Sequence, residues 1–472
     1  MQQAILTVDL GFGDAGKGSI VDFLTRETAA HTVVRYNGGA QAGHRVVTDG
    51  PDAQEHVFAQ FGSGTLAGAA THLARFMLVD PLAMEAEAAH LHSLGIDAFG
   101  RTTIDRGARI ITPFQRAANR LKELARGAAR HGSCGMGIGE TAADALALGE
   151  RTLRAGDLAR PDVLVAKLRL QRKINRAKND AIRHALPDDA AVAAELAILT
   201  DADWLEWLID AYGDFVQRAH IVAGDHLAGL LRRPGTVLFE GAQGVLLDEH
   251  RGFHPHTTWS DTTLRNAEQL LGEAGYAGAV RRVGITRAYA TRHGAGPFVS
   301  EDAGLTRALP DAANGFGAWQ QGFRAGWLDL VMLRYAAAVA GPLDCLAVTC
   351  LDRMEALPAV QLCAAYRCDG QVIDRIAPSP DCGDLAYQER LTGLLGRCTP
   401  ILRTVEDTAE LLAAIAAATG VPVGLTSCGP AAGAKQWRTT AVGPVRRTRA
   451  DEVVRLMLVC TGEYGDLPWQ RR

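Results

Sequence analysis

Short apolar, β-branched runs recur along the chain, each closed by a polar or glycine-rich stretch and most followed by a segment with helical spacing. Residues 5–8 predict a buried strand, and residues 17–24, with Ile20, Val21, Phe23 and Leu24 on one face, predict the helix after it. Further strands are predicted at 33–36, 75–80, 109–112, 236–239, 281–291, 345–349 and 421–425, with a polar hairpin at 46–57 and a helix at 82–94. Pro81 stops the strand before it. Residues 113–233 read as mostly helical, and Trp204, Leu205, Trp207 and Leu208 give an apolar face that core packing explains. Strands alternating with helices predict an α/β fold: a large, mainly parallel twisted sheet with helices on both faces and an inserted helical lobe.

Two of the connections carry chemistry. Between the first strand and helix lie Gly11, Gly13, Gly16 and Gly18, which let the backbone turn sharply and approach a ligand, while the helix start offers free N–H groups to an anion. Gly11 to Lys17 fits the first part of the P-loop pattern, but Gly18 stands where that pattern has the Ser or Thr that holds Mg²⁺. A metal there needs another ligand, and Asp14 can supply it. A plain tight turn would explain the glycines but not the lysine that follows them. The second connection, Asn37-Gly38-Gly39-Ala40-Gln41-Ala42-Gly43-His44, is another glycine-rich loop and ends in a histidine.

Taken together, GDAGKGS from Gly13, VVRYNGGAQAGH from Val33, VLFEGAQGVLLDEHRG from Val237, GITRAYATRHGAGPF from Gly284, GWLDLVMLRYA from Gly326, VTCLD from Val348 and SCGP from Ser427 resemble the adenylosuccinate synthetase family over nearly the whole chain. The resemblance implies a P-loop-like GTP-binding ligase domain over residues 1–435, with the helical lobe at about 113–233 and a C-terminal extension, 436–472, of unassigned role. It implies a GTP- and Mg²⁺-dependent ligase that phosphorylates a carbonyl, the 6-oxo group of IMP or a related acceptor, and couples an amine, aspartate in the family. A paralogue with another acceptor or amine, and a non-catalytic GTP-binding protein, stand as alternatives.

Residue by residue, the resemblance implies Asp14 as catalytic base and metal ligand, Lys17 and His44 on the transferring phosphate, and the Gly43 carbonyl on the metal. Gly13, Gly16 and Gly18 would line the phosphates, Asp352 would read guanine, and Ser427 and Gly429 would flank the base. Gln41, Gln243, Thr258 and Cys134 match acceptor-binding positions, Cys134 replacing a threonine. His293 and the loop Trp319 to Arg324 match the amine site; there the family carries several arginines and this chain keeps Arg324. Cys350 stands where the family usually has lysine.

With 472 residues, 47% of them hydrophobic, the chain can bury a large core. A net charge of −4 gives no reason to expect nucleic acid or membrane partners. The basic run at 167–183 reads as a solvated helix face. Nine cysteines without a C-x-x-C pair argue against a zinc site or a disulfide framework. Neither a leader-like run nor a membrane-length apolar segment is visible, so a cytoplasmic protein, a homodimer by resemblance, is expected, acting on small molecules.

Overall fold

The computed structural model describes residues 2–438 apart from positions 312, 313, 316, 318 and 321. At its centre is a ten-stranded sheet, whose strands in chain order are β1 Gln2–Asp9, β2 Thr32–Arg35, β3 Ala70–Leu73, β4 Thr102–Asp105, β5 His220–Val222, β6 Gly235–Glu240, β7 Ala279–Arg287, β8 Cys345–Thr349, β9 Val423–Ser427 and β10 Lys435–Trp437. Across the sheet they run β10-β9-β8-β7-β1-β6-β2-β3-β4-β5. Each neighbouring pair is parallel except β9 with β10.

β1 is central and buried on both faces. Ala4, Leu6 and Val8 enter one core, while Ile5 enters the other with Ile20, Val21 and Leu24 of the helix Lys17–Thr28. A strand covered on both sides needs an unbroken apolar run rather than an alternating one, and this is the pattern that marked it in the sequence. Parallel pairing brings the C-terminal ends of β1, β6, β7 and β8 to one edge, where open α/β sheets bind ligands.

Several predicted elements shift. Residues 109–112 do not join the main sheet: Arg109–Ile110 pairs with Leu78–Val79 in a separate two-stranded ribbon, and Thr102–Asp105 takes the place in the sheet. Pro81 does more than stop a strand, since it opens the helix Pro81–Ser93 behind an Asp80 cap. The lobe is mostly helical, as expected, and it also carries β5, which forms the sheet edge. On its helix Ala202–Arg218, Leu208 is fully buried with Tyr212 and Phe215, but Trp207 is 49% exposed, so only part of the expected apolar face is core. The basic face of Pro161–Ile182 is partly spent inside the molecule: Lys178 reaches Asp144 at 2.6 Å and Lys167 reaches Asp157 at 2.6 Å. β10 carries the sheet past residue 435 to Trp437, and 439–472 lie outside the described residues. No described helix is long and apolar enough to cross a membrane.

Candidate active site

Asp9 ends β1 and organises the loop after it. Its buried carboxylate accepts hydrogen bonds from the Gly11 amide at 2.8 Å, the Ala15 amide at 2.9 Å and the Lys17 ammonium at 2.8 Å. The loop closes through left-handed backbone at Gly13 (φ 94°), Asp14 (φ 59°) and Gly16 (φ 83°). Gly18 has a steric reason: a Cβ there would lie 2.9 Å from the backbone carbon and Cβ of His44. The residue that breaks the P-loop pattern is what lets the second glycine loop seat its histidine on the helix start.

His44, 6% exposed, places Nδ1 2.6 Å from Glu240 Oε1 at the end of β6. The same carboxylate accepts the Ser63 amide at 2.9 Å and the Ser63 hydroxyl, with Arg35 buried nearby. Burial alone would raise Glu240, but Arg35, His44 and Ser63 outweigh it and hold its carboxyl at about 2. Burial, with Arg35 and Lys17 against it, pulls His44 down to about 4 despite Glu240. Neutral imidazole against ionised carboxylate is the result, with the proton on Nδ1. Glu240 and Ser63 were not among the predicted site residues, although the glycines around Ser63 and after Glu240 mark ligand-approach loops.

Asp14 meets His293, whose Nε2 is 3.1 Å from Asp14 Oδ2 and 3.2 Å from Asn314 Oδ1. Burial works against the Asp14 charge, but His293, Arg287 and Lys17 hold its carboxyl below the ordinary range. Arg287, also absent from the sequence-based set, ends β7 opposite Thr349 of β8, and the Thr349 hydroxyl donates to Ala15 O at 2.8 Å.

The residues expected to meet the acceptor lie as follows. Gln243 sits in left-handed backbone (φ 57°) just past β6, and its Oε1 is buried with no partner; both amide atoms of Gln41 are buried and unpartnered too. A Cβ on Gly38 would lie 3.0 Å from Gln243 Oε1, and one on Gly39 would lie 3.2 Å from Gln41 Oε1 and 3.1 Å from Ile138. Ile138 belongs to a small cluster with Leu78 and Ile111, on which Cys134 and Met136 pack; burial pushes the Cys134 thiol up. Thr258 is held by its amide on Leu247 O at 2.8 Å. Beyond β8, Cys350 adopts φ 59° and starts the turn Leu351–Met354, which carries Asp352; on neighbouring β9 the Ser427 hydroxyl donates to Gly429 O at 3.0 Å.

The expected amine loop divides. Trp319 packs on Gly135, where an added Cβ would come within 2.9 Å of the indole. Phe323 pairs in register with His293 in the hairpin Ala290–His293 with Phe323–Gly326, their rings 4.9 Å apart. Arg324 binds within the chain through two of its nitrogens, Nη1 on Glu301 at 2.5 Å and Nη2 on Gly294 O at 2.6 Å and Gly296 O at 3.3 Å, while its Nε is buried without a partner among the described residues.

Charge neutralisation and positioning, rather than a covalent intermediate, are what this arrangement offers, and that places the protein among nucleotide-dependent phosphoryl-transfer enzymes. A family model described as adenylosuccinate synthetase matches residues 6–435. The adenylosuccinate synthetase of Desulfovibrio desulfuricans is 34% identical over 440 residues, covering 90% of this chain and 97% of that protein. That of Chlorobium chlorochromatii is 35% identical over 372 residues, covering 78% and 81%. A fully ligated adenylosuccinate synthetase from Plasmodium falciparum has the same fold, with a TM-score of 0.72 at 20% identity over 92% of this chain and 99% of its own. The chain belongs to the adenylosuccinate synthetase family, GTP-dependent ligases that form carbon–nitrogen bonds.

Proposed function

We propose that the protein uses GTP, with Mg²⁺, to phosphorylate the 6-oxo group of a purine acceptor of the IMP type and joins the activated carbon to the amine of an amino acid, aspartate in the first instance. The observation that carries this reading is three buried, unpartnered atoms on the loops that flank His44: Gln243 Oε1 and both amide atoms of Gln41. Buried amide atoms without partners are costly, and a polar acceptor that brings both a ring carbonyl and N–H or hydroxyl groups would supply what they lack.

In this reading Asp14, kept ionised by His293, Arg287 and Lys17, takes the ring N–H proton as the carbonyl oxygen attacks the γ-phosphorus. His44, oriented by Glu240, and Lys17, anchored by Asp9, steady the transferring group. Asp352 accepts from guanine N1–H and the 2-amino group, a pattern adenine cannot offer, with Ser427 and Gly429 beside the base. The Asp14 carboxylate, 26% exposed, and the carbonyl of exposed Gly43 are hard oxygen donors that suit Mg²⁺. That ion supplies charge neutralisation on the phosphates. A homodimer in the cytoplasm is part of the same reading.

A second reading of the amine rests on Arg324, whose Nη1 and Nη2 are engaged within the chain and whose Nε alone is unpartnered, so it cannot offer a second carboxylate its bidentate fork and an amine with fewer carboxylates than aspartate fits better. One experiment separates the two: phosphate release from GTP and Mg²⁺, crossing IMP and other oxopurines against aspartate, monocarboxylate amino acids and plain amines. Turnover with IMP and aspartate establishes the first reading. Turnover confined to a less charged amine establishes the second, and GTP hydrolysis indifferent to every acceptor contradicts both.

A further inference from the structure

Arg287 is built as if an acceptor were missing. Its side chain is 11% exposed, Nη2 makes a 3.3 Å contact to Asp311 Oδ2, and Nε and Nη1 are buried with no acceptor among the described residues. The Tyr289 ring lies 5.1 Å from the guanidinium and hydrogen-bonds none of these N–H groups. Buried donors of a charged group left unpaired are expensive, so the arrangement calls for an anion or carbonyl that the described residues do not provide.

The order of the strands says which one. β7 lies between β1, which runs into the phosphate loop, and β8, which runs into the turn bearing Asp352. Arg287 is the last residue of β7, in register with Thr349, whose hydroxyl bonds the loop carbonyl of Ala15. A nucleotide with its base at Asp352 and its terminal phosphate at Lys17 must pass over the end of β7. Lys17 shares its charge with Asp9 at 2.8 Å, and Arg324 turns Nη1 to Glu301 and Nη2 to Gly294 O, so neither alone neutralises a phosphate chain there. Phosphoryl transfer needs that charge.

We propose that Arg287 binds the phosphate chain of GTP, donating its Nε–H and Nη1–H groups to phosphate oxygens. The proposal rests on the GTP reading above. Asp311 and Asp14 flank the guanidinium and keep it in place; were holding those carboxylates its whole function, its removal would affect all ligands alike.

The test is calorimetric titration of the whole chain, as wild type, Arg287→Met and Arg287→Lys, with a non-hydrolysable GTP analogue and GDP, each with Mg²⁺, and with guanosine by competition. The expected result is a loss of tenfold or more for the analogue and GDP in Arg287→Met, unchanged guanosine affinity, and partial recovery in Arg287→Lys, which keeps the charge without the fork. If the methionine variant does not fold, the lysine variant is read for the same split between phosphorylated ligands and guanosine. Wild-type affinity for GDP and the analogue in Arg287→Met, or an equal loss for guanosine, overturns the proposal. So does a loss confined to the KM of a carboxylate-bearing amine. Failure of the wild type itself to bind the analogue would bring down the GTP reading and this proposal together.

Discussion

With Glu240 ionised against its Nδ1, the His44 ring is held in the tautomer that presents the Nε2 lone pair; to donate to a phosphate oxygen the ring must take a second proton there, and the same carboxylate stabilises the positive charge it then acquires. Glu240→Gln keeps the shape but removes the charge. We expect kcat to fall about 100-fold or more with a smaller change in the KM for GTP, as steady-state kinetics would show; an unchanged kcat would remove Glu240 from the mechanism. Asp14, Lys17 and His44 stand out in the sequence because each lies in or directly after a glycine-rich loop that packing alone does not explain. Their partners stand out less. Glu240 is 196 positions from His44, and nothing in a local pattern announces such a contact. Arg287 reads as an ordinary strand-end cation until its neighbours are known, and nothing in the run around Arg324 announces that Gly294, Gly296 and Glu301 engage two of its nitrogens.

The two glycine loops work as one element because Gly18 lets them touch. Gly18→Ser would restore the P-loop pattern on paper, yet its Cβ would meet His44 at 2.9 Å. We expect it to cost about 1–3 kcal/mol of stability and most of the activity, measured by melting temperature and kcat; a serine variant with wild-type turnover would show that the contact is slack. Strands buried on both faces, such as β1 and β6, were legible from their unbroken apolar runs. Short edge strands were not: His220–Val222 carries no periodicity of its own and pairs only because Thr102–Asp105 offers it an edge. The ribbon of Arg109–Ile110 with Leu78–Val79 imitates a sheet strand in composition, and only its pairing tells it apart.

At the scale of the molecule, the sheet gathers groups from distant parts of the chain at one edge, and several of them are buried in states that water would not favour. His44 has a folded value of about 4 against an ordinary 6.5, so between those values the unfolded chain binds the proton that the native site refuses. Its contribution therefore destabilises the fold as the pH drops from about 6.5 toward 4 and is constant above that window. Burial raises Asp248 and Glu249 to about 7, which acts in the opposite direction across much of the same range, so the stability curve of the wild type alone cannot isolate His44. The difference between His44→Gln and wild type can. Denaturant unfolding should show the variant gaining relative to wild type by roughly 1 kcal/mol per pH unit as the solution is acidified through that window, and a difference independent of pH would mean that His44 is not held neutral. The central claim, that a ring carbonyl oxygen takes the γ-phosphate of GTP and leaves with it, is tested most directly by isotope transfer. With an acceptor carrying ¹⁸O at that carbonyl, each turnover should release phosphate bearing the ¹⁸O while the amine nitrogen takes the oxygen's place on the ring carbon. Unlabelled phosphate during product formation would contradict the account.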